Sequence, residues 1–342
     1  MNTIQNDQFL HKYKIAVVIP VFCVEQEIES VLLGIPNYIG LIIVVDDCST
    51  DHTCDVVSRF ASDDNRITLI RHTNNQGVGG AMISGFRKAL ELGAQIVAKI
   101  DGDGQMDPSF LSKLIYPLIN GDADYTKGNR FRDFAALQQM PLVRRFGNVC
   151  LGFLSKIATG YWNVFDPTNG YVAIRGNILS QLQLEKVDKT YFFETSMLAN
   201  LYLIDAKIMD IPMPARYGKE ISNLRIFQVL LEFPPKLFIN FLRRVVLKYF
   251  LYDLSMVSIY MVSGIPLLFF GLIFGLIKWI KYSNIGVAAP TGTVILPTLS
   301  LIVGIQFLIS AINIDINSVP VNAICRPLNF NSHAVEDEGE NK

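Results

Sequence analysis

From residue 15 to residue 211 the chain repeats one pattern: a short, nearly unbroken apolar run, then a longer stretch whose apolar positions recur at helical spacing. Residues 15–20, 41–46, 67–71 and 96–100 read as strands, and 25–33, 53–62 and 78–92 as the helices between them. Residues 124–128, 171–175 and 208–211 read as later strands. These strands lack the in–out alternation of a half-exposed sheet, so both sheet faces are expected to be covered. Doubly buried strands alternating with helices predict an α/β fold around a mostly parallel sheet.

The pattern changes after residue 225. Between 225 and 253, Phe, Leu and Val recur at helical spacing with Lys236, Arg243, Arg244 and Lys248 among them. This predicts amphipathic helices at a membrane surface, with an ordinary core-facing helix as the other reading. Residues 254–277 and 294–314 then carry no charge, and each run is long enough to cross a bilayer, which takes about 20 residues. Pro266 and Pro297 leave a re-entrant pair open as the alternative to two spans. The basic residues before the first run outnumber Lys278 and Lys281 between the runs. The chain is therefore expected to be a multi-pass protein of the cell (inner) membrane, with its large N-terminal part and its tail both cytoplasmic. The expected domains are 1–228, an α/β domain; 229–253, the amphipathic segment; 254–316, two spans; and 317–342, a tail whose acidic end is solvated and disordered.

Composition narrows the function classes. A net charge of −1 over 342 residues, without a basic stripe, argues against nucleic acid as a partner. Five scattered cysteines form no close metal pair and fit reduced thiols. The polar N-terminus has no apolar run for a secretory signal. Glycines at 77, 79 and 80 open a helix without phosphate-loop spacing, so a packing role is expected.

The candidate chemistry begins at Lys99-Ile100-Asp101-Gly102-Asp103-Gly104-Gln105, which follows the apolar run at 96–100. The strand delivers Asp101 and Asp103 to its carboxyl end, where open α/β sheets bind ligands. Two carboxylates so close repel unless something positive sits between them. A divalent cation bridging substrate phosphates answers that need, and a simple Asp/Gly turn is the other reading.

Three further segments end expected strands: Ile19-Pro20-Val21-Phe22, then Val45-Asp46-Asp47-Cys48-Ser49-Thr50-Asp51-His52-Thr53, and Lys127-Gly128-Asn129-Arg130. With the Asp101–Gln105 segment they resemble the family 2 glycosyltransferases of the GT-A fold, a Rossmann-like, mostly parallel α/β architecture. Within that family they resemble the dolichol- and polyprenyl-phosphate hexose transferases. The resemblance covers residues 15–225 and implies roles position by position. Pro20, Phe22, Val45 and Asp47 would line the base and ribose pocket, with Asp47 accepting from a base N–H. Glu25 would stand in for a family glutamate, and Asp101 and Gly102 would touch the nucleotide sugar. Asp101, Asp103 and Gln105 would hold Mg²⁺ or Mn²⁺ on the diphosphate. Arg130, Arg144 and Arg216 would clamp the acceptor phosphate, although each alone also reads as a surface charge. The implied catalytic set is Asp101, Asp103 and Arg130, with Asp166 organising the acceptor loop. The chain departs from the family at Phe22-Cys23-Val24-Glu25, where Tyr-Asn-Glu-Glu is usual. It departs again at Asn169, where Ser is usual, and around Arg216, where a lysine is missing.

The resemblance implies inverting transfer of a hexose from a UDP- or GDP-sugar to polyprenyl phosphate, on the cytoplasmic membrane face, in cell-envelope polysaccharide synthesis. A phosphate monoester is a dianion at neutral pH and attacks unaided, whereas a hydroxyl acceptor needs a base. None of His11, His52, His72 and His333 falls in the acceptor region, and Glu194 is the nearest candidate base. Direct transfer to a hydroxyl of a lipid-linked glycan, and a non-catalytic membrane scaffold, stay open as alternatives. Oligomeric state is not readable from the sequence; a homo-oligomer stays open, since Gly264, Gly271 and Gly275 could let membrane helices approach closely.

Overall fold

A computed structural model describes residues 8–130, 142–213 and 226–328. The chain divides into two units, residues 1–240 with 320–342, and residues 241–319.

In the first unit the apolar runs become the centre of a seven-stranded sheet. Strands β1 (Ile15–Val21), β2 (Leu41–Asp46), β3 (Ile67–Arg71), β4 (Ile96–Lys99), β5 (Tyr125–Asn129), β6 (Val172–Arg175) and β7 (Ile208–Pro212) take the order β3-β2-β1-β4-β6-β5-β7. Helices α1 (Ile28–Gly34), α2 (Thr53–Asp63), α3 (Gly77–Glu91), α4 (Leu111–Asn120), α5 (Leu142–Thr159) and α6 (Phe193–Leu203) complete the domain. Every residue of β4 and all but one of β1 are buried, which explains their apolar character, broken only by Lys99 at the end of β4. Strands β1 to β4 pair in parallel. β6 runs antiparallel to both β4 and β5, so the sheet is mixed.

Two features of this order set up the site. The chain reverses its direction of travel between β1 and β4, and such a switch point opens a crevice at the carboxyl strand ends. The antiparallel β6 begins where β4 ends, with Lys99 opposite Val172 and Val172 opposite Lys127. The loop entering β6 is thereby brought to the rim that carries Asp101.

In the second unit, α8 (Met256–Ile285) and α9 (Thr291–Asn317) run 30 and 27 residues, long and apolar enough to cross a membrane. Pro266 and Pro297 lie inside these continuous helices and break neither. The 225–253 region is one helix, α7 (Ile226–Val246), extended by a π-helical turn over Leu247–Tyr252. Two of the basic residues counted for orientation have acidic partners. Lys236 bonds Asp188 at 2.8 Å within the first unit. Arg244, nearly fully buried in the second, bonds Asp315.

The segment after α9 returns to the first unit as a strap. Buried Asp124 accepts from the Ile324 and Cys325 backbone N–H groups at 2.8 and 3.1 Å. Arg175 donates to the Arg326 carbonyl at 2.7 Å. The acidic end expected to be disordered lies outside the described residues.

Candidate active site

The turn after β2 is built to hold the end of β1. Asp46 Oδ1 accepts from Ser49 N at 3.1 Å, and Asp51 Oδ1 accepts from Thr53 N at 3.1 Å, closing two short side-chain-to-backbone turns. The outward groups then take the neighbouring loop: Ser49 Oγ accepts from Cys23 N, Thr53 Oγ1 from Val24 N, and Asp51 Oδ2 from Glu25 N, at 2.9–3.2 Å. Glu25 answers by accepting from His52 N at 2.9 Å. Cys23 and Cys48 sit in this junction with φ of 54° and 67°, the left-handed region. This lattice leaves Phe22 half exposed at the strand end, an open aromatic face. Pro20 and Val45 are paired across β1 and β2, and the Val45 side chain is fully buried.

Asp47 is more heavily engaged than its expected role requires. Its Oδ1 bonds His72 Nδ1 at 2.7 Å and Gln76 N at 2.9 Å, and its Oδ2 accepts from Gly77 N at 2.8 Å. An ionised carboxylate oxygen offers about two acceptor positions, so a base N–H would have to share Oδ2. His72, which no sequence argument singled out, is the residue that fixes Asp47. The α3 glycines pack against a loop: a Cβ at Gly79 would lie 2.3 Å from the Asp188 carbonyl, and Gly79 N and Gly80 N donate to the Lys189 carbonyl.

At the end of β4, Gly102 passes over β1 so closely that a Cβ would lie 2.7 Å from Val21 Cγ1. Asp103 Oδ1 accepts from Gln105 N at 3.0 Å. Asp101, about 29% exposed, bonds Lys99 Nζ at 3.0 Å, and Lys99 also bonds Glu194 of α6 at 2.8 Å. Part of the positive charge demanded by the carboxylate pair is thus a lysine from the strand itself. Burial works against the Lys99 charge, but Asp101 and Glu194 outweigh it and hold the ammonium above the ordinary lysine range. Glu194, the nearest candidate base, is committed to this ion pair.

The oxygen-only set of Asp101, Asp103 and Gln105 fits a hard divalent cation. It supplies only part of a coordination sphere, and among the described residues no cluster of three His, Cys, Asp or Glu could complete one. Magnesium sites that finish their coordination with substrate phosphates have this incomplete form.

The acceptor side is organised by the loop entering β6. Asp166, fully buried, takes a two-pronged ion pair from Arg130, with Nε at 2.8 Å and Nη2 at 3.0 Å. Asn169 donates to the Gly128 carbonyl at 2.7 Å and accepts from Tyr171 N at 3.0 Å, so it straps the loop to β5. Gly170 packs directly on the donor-side cluster: a Cβ there would lie 2.4 Å from Lys99 Nζ and 3.1 Å from Asp101 Oδ2. Arg216 and the Arg144 side chain lie outside the described residues. Arg130 is therefore the one expected acceptor arginine whose surroundings the structure describes, and it is brought to the rim by Asp166.

Comparison with known proteins gives the family and the fold. Residues 16–183 match the family profile described as glycosyl transferase family 2. The chain is 31% identical to the UDP-N-acetylglucosamine–dolichyl-phosphate N-acetylglucosaminyltransferase of Methanococcus voltae, over 64% of this chain and 92% of that protein. It is 28% identical to the undecaprenyl-phosphate mannosyltransferase of Micrococcus luteus, over 58% of this chain and 82% of that one. The fold matches glucosyl-3-phosphoglycerate synthase from Mycobacterium tuberculosis, crystallised with Mn²⁺, UDP-glucose and phosphoglyceric acid. The TM-score is 0.53 at 20% identity, covering 71% of this chain and 84% of that one. The class is a GT-A-fold glycosyltransferase. The chain belongs to glycosyl transferase family 2, and it resembles that family's polyprenyl-phosphate sugar transferases.

Proposed function

We propose that this glycosyltransferase moves a hexose, with inversion, from a UDP- or GDP-sugar to polyprenyl phosphate at the cytoplasmic membrane face. The observation that carries the reading is the loop at 166–170, which packs Gly170 on the Lys99–Asp101 pair and turns Asp166 to Arg130. Donor and acceptor chemistry then share one rim. Phe22 stacks the base, and Asp47 accepts from it through Oδ2. Asp101, Asp103 and Gln105 would hold Mg²⁺ or Mn²⁺, which when bound would supply positive charge to the diphosphate leaving group. Arg130, aimed by Asp166, receives the acceptor phosphate, with Arg144 and Arg216 as its proposed companions.

We infer the acceptor class from how Glu194 is engaged and from the apolar surface among the described residues. Glu194 is tied to Lys99, which weighs against a hydroxyl acceptor needing proton removal. A lipid phosphate, with a second pKa near ~6, needs no base. Val149, Phe153, Leu154 and Phe165 are exposed on the catalytic unit, and Phe165 adjoins Asp166 in sequence. Phe238, Ile239, Leu242 and Val246 of α7 are exposed as well. Such apolar faces suit a membrane surface bearing the lipid. Purified protein given labelled nucleotide sugar and polyprenyl phosphate is expected to yield a labelled lipid. Asp103→Ala is expected to cut turnover at least about 100-fold while the protein stays folded and membrane-bound. Full turnover in chelator would overturn the metal assignment, and product formed only with an oligosaccharide acceptor would overturn the acceptor.

A further inference from the structure

Lys127 is a charged residue in the middle of the sheet that the reaction as described does not use. It lies on β5, is fully buried, and donates from Nζ to the Asn169 carbonyl. Asn169 belongs to the loop whose Asp166 grips Arg130. The same loop is fixed to β5 from its other side by the Asn169 side chain on the Gly128 carbonyl and by Gly128 N on the Tyr171 carbonyl. The only charged bond into the loop's backbone among these is the one from Lys127.

We propose that Lys127 is a positioning residue for the acceptor: it fixes the 166–170 loop from below and, through Asp166, aims Arg130 at the attacking anion. The proposal rests on the functional reading above and adds a residue to it that touches neither substrate. Its geometry is specific. Across the sheet Lys127 and Lys99 flank Val172; Lys127 bonds the Asn169 carbonyl, whereas Lys99 lies beside Gly170 and bonds Asp101 and Glu194. Removing the Lys127 bond should therefore loosen the loop while the Lys99–Asp101 pair on the donor side stays in place.

The groups facing Lys127 are Glu194 from α6, Asp166 from the loop, Asp210 from β7 and Lys99 from β4. Burial pushes the Lys127 pKa down to about 8 against the pull of the three carboxylates. Above that pH the ammonium is lost and with it the charge-assisted bond to Asn169, so acceptor binding should weaken as pH rises through 8.

The test compares wild-type protein with Lys127→Met, which keeps the side-chain length without the donor. The variant is expected to raise the acceptor KM about tenfold and leave the donor KM within about twofold, because misplacing a binding group costs rate steeply. Wild type should show an inflection in acceptor KM near pH 8 that the variant lacks. Backbone hydrogen exchange at 166–171 should quicken in the variant, while affinity for a nucleoside diphosphate with Mn²⁺ stays unchanged. Equal rises in both KM values, an unchanged loop exchange rate, or an inflection that survives the substitution would each overturn the proposal. Wild-type protein that binds the nucleoside diphosphate yet makes no lipid product overturns the functional reading itself, and the exchange data still decide whether Lys127 anchors the loop.

Discussion

Lys99 shows how much one buried side chain decides. It sits at 1% exposure between two carboxylates contributed by residues two and 95 positions away. A buried ion pair gains little over an apolar replacement of the whole set, but deleting one partner strands the others in low dielectric. Lys99→Met is expected to destabilise the full chain by about 3 kcal/mol, the low end of the 3–5 kcal/mol range because Asp101 is partly solvated. Adding Glu194→Gln should recover part of that loss by removing the carboxylate buried deepest. Thermal unfolding of both variants in detergent checks this, and a single variant that melts like wild type would refute it. At the same scale, glycine at 170 is required by space, since the position a methyl would occupy belongs to the Lys99 ammonium.

Among elements, the α8–α9 pair depends on small residues at the crossing. The Cβ position at Gly264 lies 3.2 Å from the Gly304 carbonyl, and that at Gly304 lies 3.0 Å from the Gly264 carbonyl. At Gly271 a Cβ would meet the Pro297 carbonyl at 2.9 Å and Leu301 Cγ at 2.8 Å. Two glycines that the sequence offered for association between copies, Gly264 and Gly271, are used inside the hairpin. Without a hydrophobic drive between helices in lipid, close backbone approach and van der Waals packing supply the affinity. Gly271→Leu is expected to push the helices apart and cost about 1–3 kcal/mol. Gly292→Ala, with open space around the Cβ position in the first turn of α9, should cost no stability. Comparing their melting temperatures in detergent against wild type tests the argument, which fails if both variants behave alike.

Over the whole molecule, the chain leaves the catalytic unit near residue 240 and rejoins it at residue 320. Two helices of spanning length lie between, and in the topology proposed here both would cross fully, which would put the strap at 324–328 on the same membrane side as the unit it bonds. The topology proposed here makes a direct prediction. In intact cells a cysteine placed at Ala288, in the exposed stretch between α8 and α9, should react with a membrane-impermeant maleimide. The exposed Cys150 of the catalytic unit should react only after permeabilisation. Labelling of both before permeabilisation, or of Cys150 alone, would rule out a cytoplasmic catalytic unit on a two-span hairpin.

The apolar runs determined the strands, because a strand buried on both faces must be apolar along its length wherever it lies in the sheet. They also determined the long C-terminal helices, and they placed the Asp101–Gln105 segment at the end of β4. These are short-range properties, readable within a window of a few residues. Only the tertiary structure decided which charges neutralise one another. Lys99 inside an apolar strand was a visible signal of a buried partner, but Glu194 lies on a helix 95 residues away. The pairing of Arg130 with Asp166 and the docking of Ile324 on Asp124, 200 residues apart, arise from strand order and the antiparallel β6. Hydrophobic periodicity specifies what is buried, whereas Coulomb pairing in a low-dielectric interior depends on distances that exist only once the sheet has closed.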